Sequence, residues 1–426
     1  MENVNLAPSR WLRIAPVVFV VYSVAIVDRA NYGFGSAAGM AKDLGITDNA
    51  NSFLGALFFL GNFLFQIPAA HYATRYSAKK LIFWSMVLWG LLAAGTGIIT
   101  NLSLLFADRF LLGVVESAVF PGTLIFLSHW FTKKERSRAN SIMILGNPIT
   151  LLWMSILSGY LVDQFGWRAM FVIEGVPAVI LAAVWLYAVN DHPAQASWLS
   201  PKEREDLENA FAEEQGEIEP VRNYREALAK PTVWVLAFQY MFWSVGANGL
   251  VIWLPAILKG GSNYGMTEIG WLSSVPYVLG AILMFSGSTW SDKVQKRRPF
   301  IWPFQMLAAA GFLVSYLSGI SHFWLAYIAI VLSAGALYVP YGPFFATIPE
   351  ILPRNVAGGA LALINSVGIL GAFVGAYFIG YLNAITGGPD ASFLLLSGSL
   401  LVASLLGVMT KIFEAGWQSG NRARAY

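Results

Sequence analysis

LSLLFADRFLLGVVESAVFPGTLIFLSHW, residues Leu102–Trp130, is apolar over the length of a membrane-crossing helix, yet it carries Arg109 and Glu116. A bilayer's hydrocarbon core takes about 20 helical residues. The two charges stand seven positions apart, two helical turns along one face. A second apolar stretch, Ile14–Ala38, holds Asp28 and Arg29 near its middle, within VAIVDRANYGFG. Each such charge costs roughly 2.5–3.5 kcal/mol at the bilayer centre, so four unpaired ones cost about 10–14 kcal/mol. A chain keeps them only where they face a protein interior or a wet cavity, and charges of this kind mark an ion or substrate path. The expected task is to move something charged across a membrane.

The rest of the chain agrees. Of 426 residues, 57% are hydrophobic and 12% charged, against about 25% charged in soluble domains. Twelve spans are expected. The first six are Ile14–Ala38, Asn51–Tyr72, Leu81–Thr100, Leu102–Trp130, Ala139–Leu161 and Ala169–Val189. The second six are Val233–Leu258, Ile269–Trp290, Phe300–Ile320, Phe323–Ile348, Val356–Leu382 and Phe393–Ile412. One connection, 190–232, is long and polar. The expected division is an N-terminal six-helix bundle (1–190), a linker (191–232) and a C-terminal six-helix bundle with a tail (233–426). Within the linker, Ser200, Pro201 and Glu203 form a capping-box pattern, so a short helix is expected through about Glu214.

Lys and Arg cluster in alternate loops, which places both termini in the cytoplasm. The side opposite the termini holds only Lys42, Arg168 and Lys259. The expected location is the bacterial inner membrane, multi-pass, with the first span as its own targeting signal. The net charge of +3 points to no nucleic acid, and there is no cysteine for disulfide or thiol chemistry. No Cys or His cluster suggests a metal, and no phosphate loop suggests ATP. The four histidines are placed near membrane edges or in loops, so no histidine proton relay is expected.

The halves echo each other in HYATRYSAKKL (71–81) and STWSDKVQKRRP (288–299), the trace of a duplicated six-helix unit. With these loops and the 6+6 split, the chain resembles the major facilitator superfamily. Its loop motif is G-x-x-x-D-R-x-G-R-[RK]. Asp292, Lys293, Arg297 and Arg298 match in the second loop, with Ser288 at the glycine position. The first loop keeps Arg75 but has Thr74 for the usual Asp and Ser77 for the usual Gly, which implies a weaker latch there.

Within the superfamily the chain looks like the anion:cation symporter branch. The matches are DRANYGF (28–34), RFLLGVVESAVFPG (109–122), WRAMFVIEGVPA (167–178), HPAQASWLSPKE (192–203) and AGGALALINSVGILG (357–371). Its LIFWSMVLWG, RSRANSIMILGNP, VPYGPFFATIPEILP and NVAGGALALINS are similar to stretches of bacterial 2-ketogluconate transporters. The resemblance implies import of a monoanionic sugar acid with protons, by alternating access in a monomer, with no cofactor beyond the co-transported proton.

Individual residues can be weighed on this frame. Arg29 presents a planar cation that grips a carboxylate by two parallel bonds, and the resemblance assigns it the substrate; its other reading is a structural partner for Asp28 or Glu116. Asp28 and Glu116 are the acids placed near the midplane. Burial favours the neutral carboxyl and a nearby Arg the charged one, and the resemblance assigns both to proton coupling. Arg109 is placed to hold Glu116 ionised or to draw anions inward. Asn62, Asn147, Gln239 and Asn365 are amides inside apolar spans, suited to sugar hydroxyls because they both donate and accept; helix–helix bonding is the alternative. Asn248 is a further candidate. Tyr32, Tyr338 and Tyr341 are candidates for stacking or hydrogen bonding to substrate. Gly371 and Gly375 read as close helix packing. A carrier of another organic anion, as exchanger or exporter, remains open. A membrane-embedded enzyme or a transporter-like sensor lacks a catalytic cluster or an added soluble domain.

Overall fold

A computed structural model describes residues 8–216, 231–294, 296–319, 322–351, 354–387 and 390–423. Among them there are only helices, turns and loops. The long helices are α1 (Ser9–Ala37), α3 (Asp48–Arg75), α4 (Ala78–Ile98), α5 (Leu102–Glu116), α6 (Val119–Trp130) and α7 (Lys133–Ala188), with a four-residue α2 (Met40–Asp43) between the first two. There follow α8 (Pro201–Gly216), α9 (Pro231–Gly260), α10 (Met266–Val294), α11 (Trp302–Ser318), α12 (Phe323–Tyr338), α13 (Tyr341–Ile351), α14 (Arg354–Thr386) and α15 (Asp390–Ala423). Eleven apolar stretches among the described residues are long enough to cross a membrane. One, Arg138–Ala188, has 51 residues and breaks at Gly166, whose φ is 82°. It therefore supplies two crossings, and the total is the expected twelve.

Two expected spans are broken. Residues 102–130 divide into α5 and α6 at Ser117–Ala118, immediately after Glu116. Pro121 has no N–H for the Ser117 carbonyl four residues earlier, so the ladder opens there. Residues 323–348 divide at Val339–Pro340, where Pro343 denies a partner to Val339. The linker helix starts as expected: Ser200 N–H donates to Glu203 Oε2 at 2.8 Å and Glu203 N–H to Ser200 Oγ at 3.2 Å. Residues 217–230 and 424–426 lie outside the described residues.

The chain resolves into two compact units. Unit 1 is Met1–Arg29, Gly61–Leu151 and Arg168–Glu219. At the end where α1 begins, fully buried Arg10 donates to Glu135 Oε1 at 2.9 Å and to the Trp130 carbonyl at 2.5 Å. Trp130 stacks on Trp198 and donates to Asn190 O, while Asp191 accepts from Ser77 Oγ and Lys79 N–H. The His129 and His192 rings lie 4.3 Å apart. The first residues after α7 are thus docked onto unit 1.

Burial pushes the Glu135 carboxyl up, but the Arg10 hydrogen bond and charge, helped by Thr132, outweigh it and hold the group below the usual carboxylate range. A depressed folded-state value gives stability that is present above the unfolded value, about 4.3, and lost as pH falls through the folded one. Glu135→Gln is therefore expected to lower the detergent melting temperature at pH 7. The difference from the parent should close below about pH 4. An equal deficit at both pH values would remove the ion pair from the account.

Unit 2 is Ala30–Leu60, Leu152–Trp167 and Pro220–Tyr426. Its core is α9 against α14. A Cβ on Gly371 would lie 2.2 Å from Met241 O, and one on Gly375 would lie 2.4 Å from Val245 O, so only glycine allows these backbones to meet. That is the expected role of the pair. The same unit takes in the last residues of α1, the first part of α3 and the middle of α7. Cβ atoms on Gly33, Gly159 and Gly380 would lie 2.0 Å from Ile252 O, 2.4 Å from Met266 O and 2.2 Å from Ser52 Oγ. Polar ties accompany these crossings: Thr267 Oγ1 donates to Asp163 at 3.0 Å, and Tyr377 donates to Asn49 at 3.2 Å.

Candidate functional site

Unit 1 holds six of the residues singled out in the sequence. Arg29 Nε donates to Glu116 Oε1 at 2.6 Å; the Glu116 side chain is wholly buried and that of Arg29 is 22% exposed. Arg109, also buried, lies within electrostatic range of Glu116. Asn147 on α7 is half-buried and follows Gly146, which lies against the Tyr22 ring; Tyr22 is within electrostatic range of both Arg29 and Glu116. Asp28 is fully buried beside Arg29 in the sequence. Asn62 is buried on α3 in the same unit.

The helices explain this gathering. Glu116 closes α5 at the break forced by Pro121, so the last carboxylate before the bend faces α1. Gly146 lets α7 approach α1: a Cβ there would lie 3.2 Å from Ser23 Oγ and 3.3 Å from Tyr22 Cδ1. Sequence reading missed Tyr22. Its signal was present, seven positions before Arg29 and thus two turns along the same face of α1. Sequence reading also missed two buried acids. Asp108 accepts from Thr96 Oγ1 at 2.8 Å, and Glu174 is buried on the second half of α7.

Other candidates are occupied elsewhere. Tyr32 is fully buried in unit 2, its hydroxyl 2.6 Å from both O and Oδ1 of Asn51, whose amide donates to Ser36 Oγ at 2.8 Å. Gln239 donates to Gln305 Oε1 at 3.1 Å and lines a narrow cleft with Arg298, Trp302 and Thr347. Asn248 donates to Ser244 Oγ at 2.9 Å, and Asn365 is half-buried on α14. Tyr338 and Tyr341 stack on each other at 5.7 Å, and Tyr341 meets Trp243 at 4.5 Å. Among the loop residues, Arg297 pairs with Asp292, whereas Arg75 lies over the Tyr76 ring at 6.0 Å. The second loop has the acid that the first lacks. Among the described residues no His, Cys, Asp and Glu group has the arrangement of a metal site.

The Major Facilitator Superfamily model matches residues 18–376, and again 268–423. The chain belongs to the Major Facilitator Superfamily. Its relatives include a "Putative tartrate transporter" of Agrobacterium vitis, 30% identical over 92% of this chain and 88% of that protein. A "Quinolone resistance transporter" of Acinetobacter baumannii is 32% identical over 92% of each chain. Among solved structures, the inward open xylose transporter XylE from E. coli superposes with a TM-score of 0.73 at 15% identity, covering 93% of this chain and 95% of that one. The bacterial homologue of the lysosomal transporter Spinster superposes with a TM-score of 0.71 at 18% identity, covering 96% of this chain and 97% of that one. These likenesses establish the fold. The superfamily member described here is a multi-pass membrane transporter, not an enzyme.

Proposed function

We propose that this transporter imports a monoanionic sugar acid, with 2-ketogluconate the first candidate, by proton symport across the bacterial inner membrane, both termini facing the cytoplasm. The observation that carries the reading is the buried Arg29–Glu116 pair. One cation and two rival carboxylates make a coupling device. When a substrate carboxylate takes Arg29, Glu116 loses its partner in a water-poor interior. A buried carboxylate that has lost its hydrogen-bonded cation, with only Arg109 left in electrostatic range, is destabilised, and it restores balance by binding a proton. Proton and anion then cross together. On the other side, loss of the proton returns Glu116 to Arg29 and displaces the anion. Asn147 and Tyr22 lie beside the pair, where hydroxyls on the substrate chain need donors and acceptors. The relative named for tartrate, a hydroxylated dicarboxylate, supports a hydroxylated organic anion as the substrate.

The test is uptake of labelled 2-ketogluconate, gluconate and tartrate by proteoliposomes under an imposed inward proton gradient. Accumulation that collapses with a protonophore is the expected result. An initial rate that ignores the gradient overturns proton symport. A gradient driving efflux of quinolones, with no sugar-acid uptake, would replace this reading by the one the Acinetobacter relative's name suggests.

A further inference from the structure

We infer that residues 190–199 form an acid-released strap: docked across the end of unit 1 where α1 begins while His129 and His192 are neutral, it lifts off when both carry a proton. The inference holds whatever the carrier transports and whichever side its termini face.

The strap is fastened to three helices. It leaves α7, makes a single 3-10 turn at Pro193–Gln195 and runs on to α8. Asp191 accepts from the Lys79 N–H at 2.8 Å and from Ser77 Oγ, both at the start of α4. Trp130, at the end of α6, donates to Asn190 O at 2.9 Å and stacks on Trp198 with ring centroids 5.4 Å apart. Arg13 of α1 lies over the Trp198 ring at 5.1 Å. Pro193, Ala196 and Leu199 are buried. α1 carries Arg29 and α6 follows the break after Glu116, so the strap ties the far ends of the helices that bear the buried ion pair.

One fastening responds to acid. The half-buried His129 ring and the exposed His192 ring lie 4.3 Å apart, and His129 Nδ1 is 3.2 Å from Asp191 O. A carbonyl only accepts, so Nδ1 carries the hydrogen and Nε2 takes any further proton. Besides His192, the charged groups in range of His129 are Asp191 on the strap and Arg136 on α7. The Asp191 carboxylate is engaged at the start of α4, and Arg136, reaching Ser128 O at 3.4 Å, adds a like charge. Around them, α4 begins with Lys79 and Lys80, Arg10 of α1 is matched by Glu135, and Arg204 of α8 donates to Leu199 O at 3.2 Å. Two imidazolium rings in contact, with the nearby carboxylates already engaged, repel. The docked strap therefore holds at most one of the two protons, and the released strap holds both. An imidazole's ordinary pKa is about 6.5, so docking is complete above that value and release gains about tenfold per pH unit below it.

The chain has no cysteine, which allows a direct test. Ala196→Cys places a thiol in the buried part of the strap, and Ala194→Cys places one on its exposed part. Their maleimide labelling rates are measured on the solubilised full-length transporter at about pH 7.5 and about pH 5.5, on either side of the imidazole value. The exposed thiol corrects for thiolate chemistry at each pH. The ratio of the Ala196→Cys rate to the Ala194→Cys rate should rise roughly tenfold in acid, and by less than about twofold once His192→Gln is added. Hydrogen exchange of residues 190–199 in the cysteine-free chain, corrected for its intrinsic rate, reads the same release should the buried thiol upset docking. Labelling and exchange that ignore pH overturn the inference. An equal rise with and without His192→Gln also overturns it, by assigning the release to a carboxylate.

Discussion

Glu116→Gln abolishes gradient-driven accumulation and leaves substrate exchange intact: this is the expected result if Glu116 carries the proton. Glutamine has the shape of the protonated acid and does not titrate. The loaded carrier can still cross, so counterflow of labelled against unlabelled substrate continues. The empty return step, which needs a carboxylate to re-engage Arg29, fails. A structural role predicts another pattern. If Glu116 only neutralises the cations, the substitution leaves Arg29 short of its 2.6 Å partner and Arg109 short of a counter-charge. Removing one member of a buried pair costs about 3–5 kcal/mol, so folded yield and melting temperature would fall together with counterflow. Both measurements on one preparation separate the cases. Normal counterflow with no gradient-driven uptake supports the proton role. Unimpaired gradient-driven uptake would refute it.

The second large effect is expected at Gly159. Its backbone meets α10 so closely that a Cβ would lie 2.4 Å from Met266 O and 2.8 Å from Gly270 Cα. Neither obstacle is a flexible side-chain tip, so a valine there forces the crossing apart. Gly33 against the Ile252 backbone is a crossing of the same kind, and Gly380 packs on the Ser52 and Trp253 side chains. Carriers of this superfamily work by rocking bundles about a central site, and a crossing that cannot close holds that end open. Gly159→Val is therefore expected to reduce uptake more than tenfold while the protein still inserts and folds. The chain has no cysteine, so Ser52→Cys introduces a single thiol. Ser52 is fully buried. Its labelling by a membrane-impermeant maleimide should be slow in the parent background and fast in Gly159→Val. Slow labelling in both, with transport lost, would mean that the crossing does not control access.

Much of this molecule was legible before folding. Apolar runs of bilayer length announce themselves because lipid offers no partner for backbone polar groups, which forces helices. Gly371 and Gly375 announced a tight helix crossing. Arg29, Glu116 and Asn147 were legible as candidate site residues because a charge or amide in hydrocarbon needs a reason to be there. Tyr22 was not, since a tyrosine in an apolar span has a sufficient role in packing. Nor was Tyr32, whose hydroxyl serves Asn51, because hydrogen-bond partners nineteen positions apart follow from a helix pair, not from a pattern. The two breaks, after Glu116 and after Tyr338, were written in Pro121 and Pro343 but are visible only once a missing N–H is set against its carbonyl.

By itself the sequence determined the membrane class, the twelve crossings and the clustering of cations in alternate loops. All of these follow from transfer free energy, which each residue carries with it wherever it folds. Only the tertiary structure decided which charge meets which. Arg29 had Asp28 beside it in the chain and took Glu116, eighty-seven positions away. It also decided that the last residues of α1, the first part of α3 and the middle of α7 belong to the unit formed with the second half of the chain. Pairing and packing depend on where helix axes cross. Those crossings are set by glycines whose effect exists only in the presence of the backbone they admit.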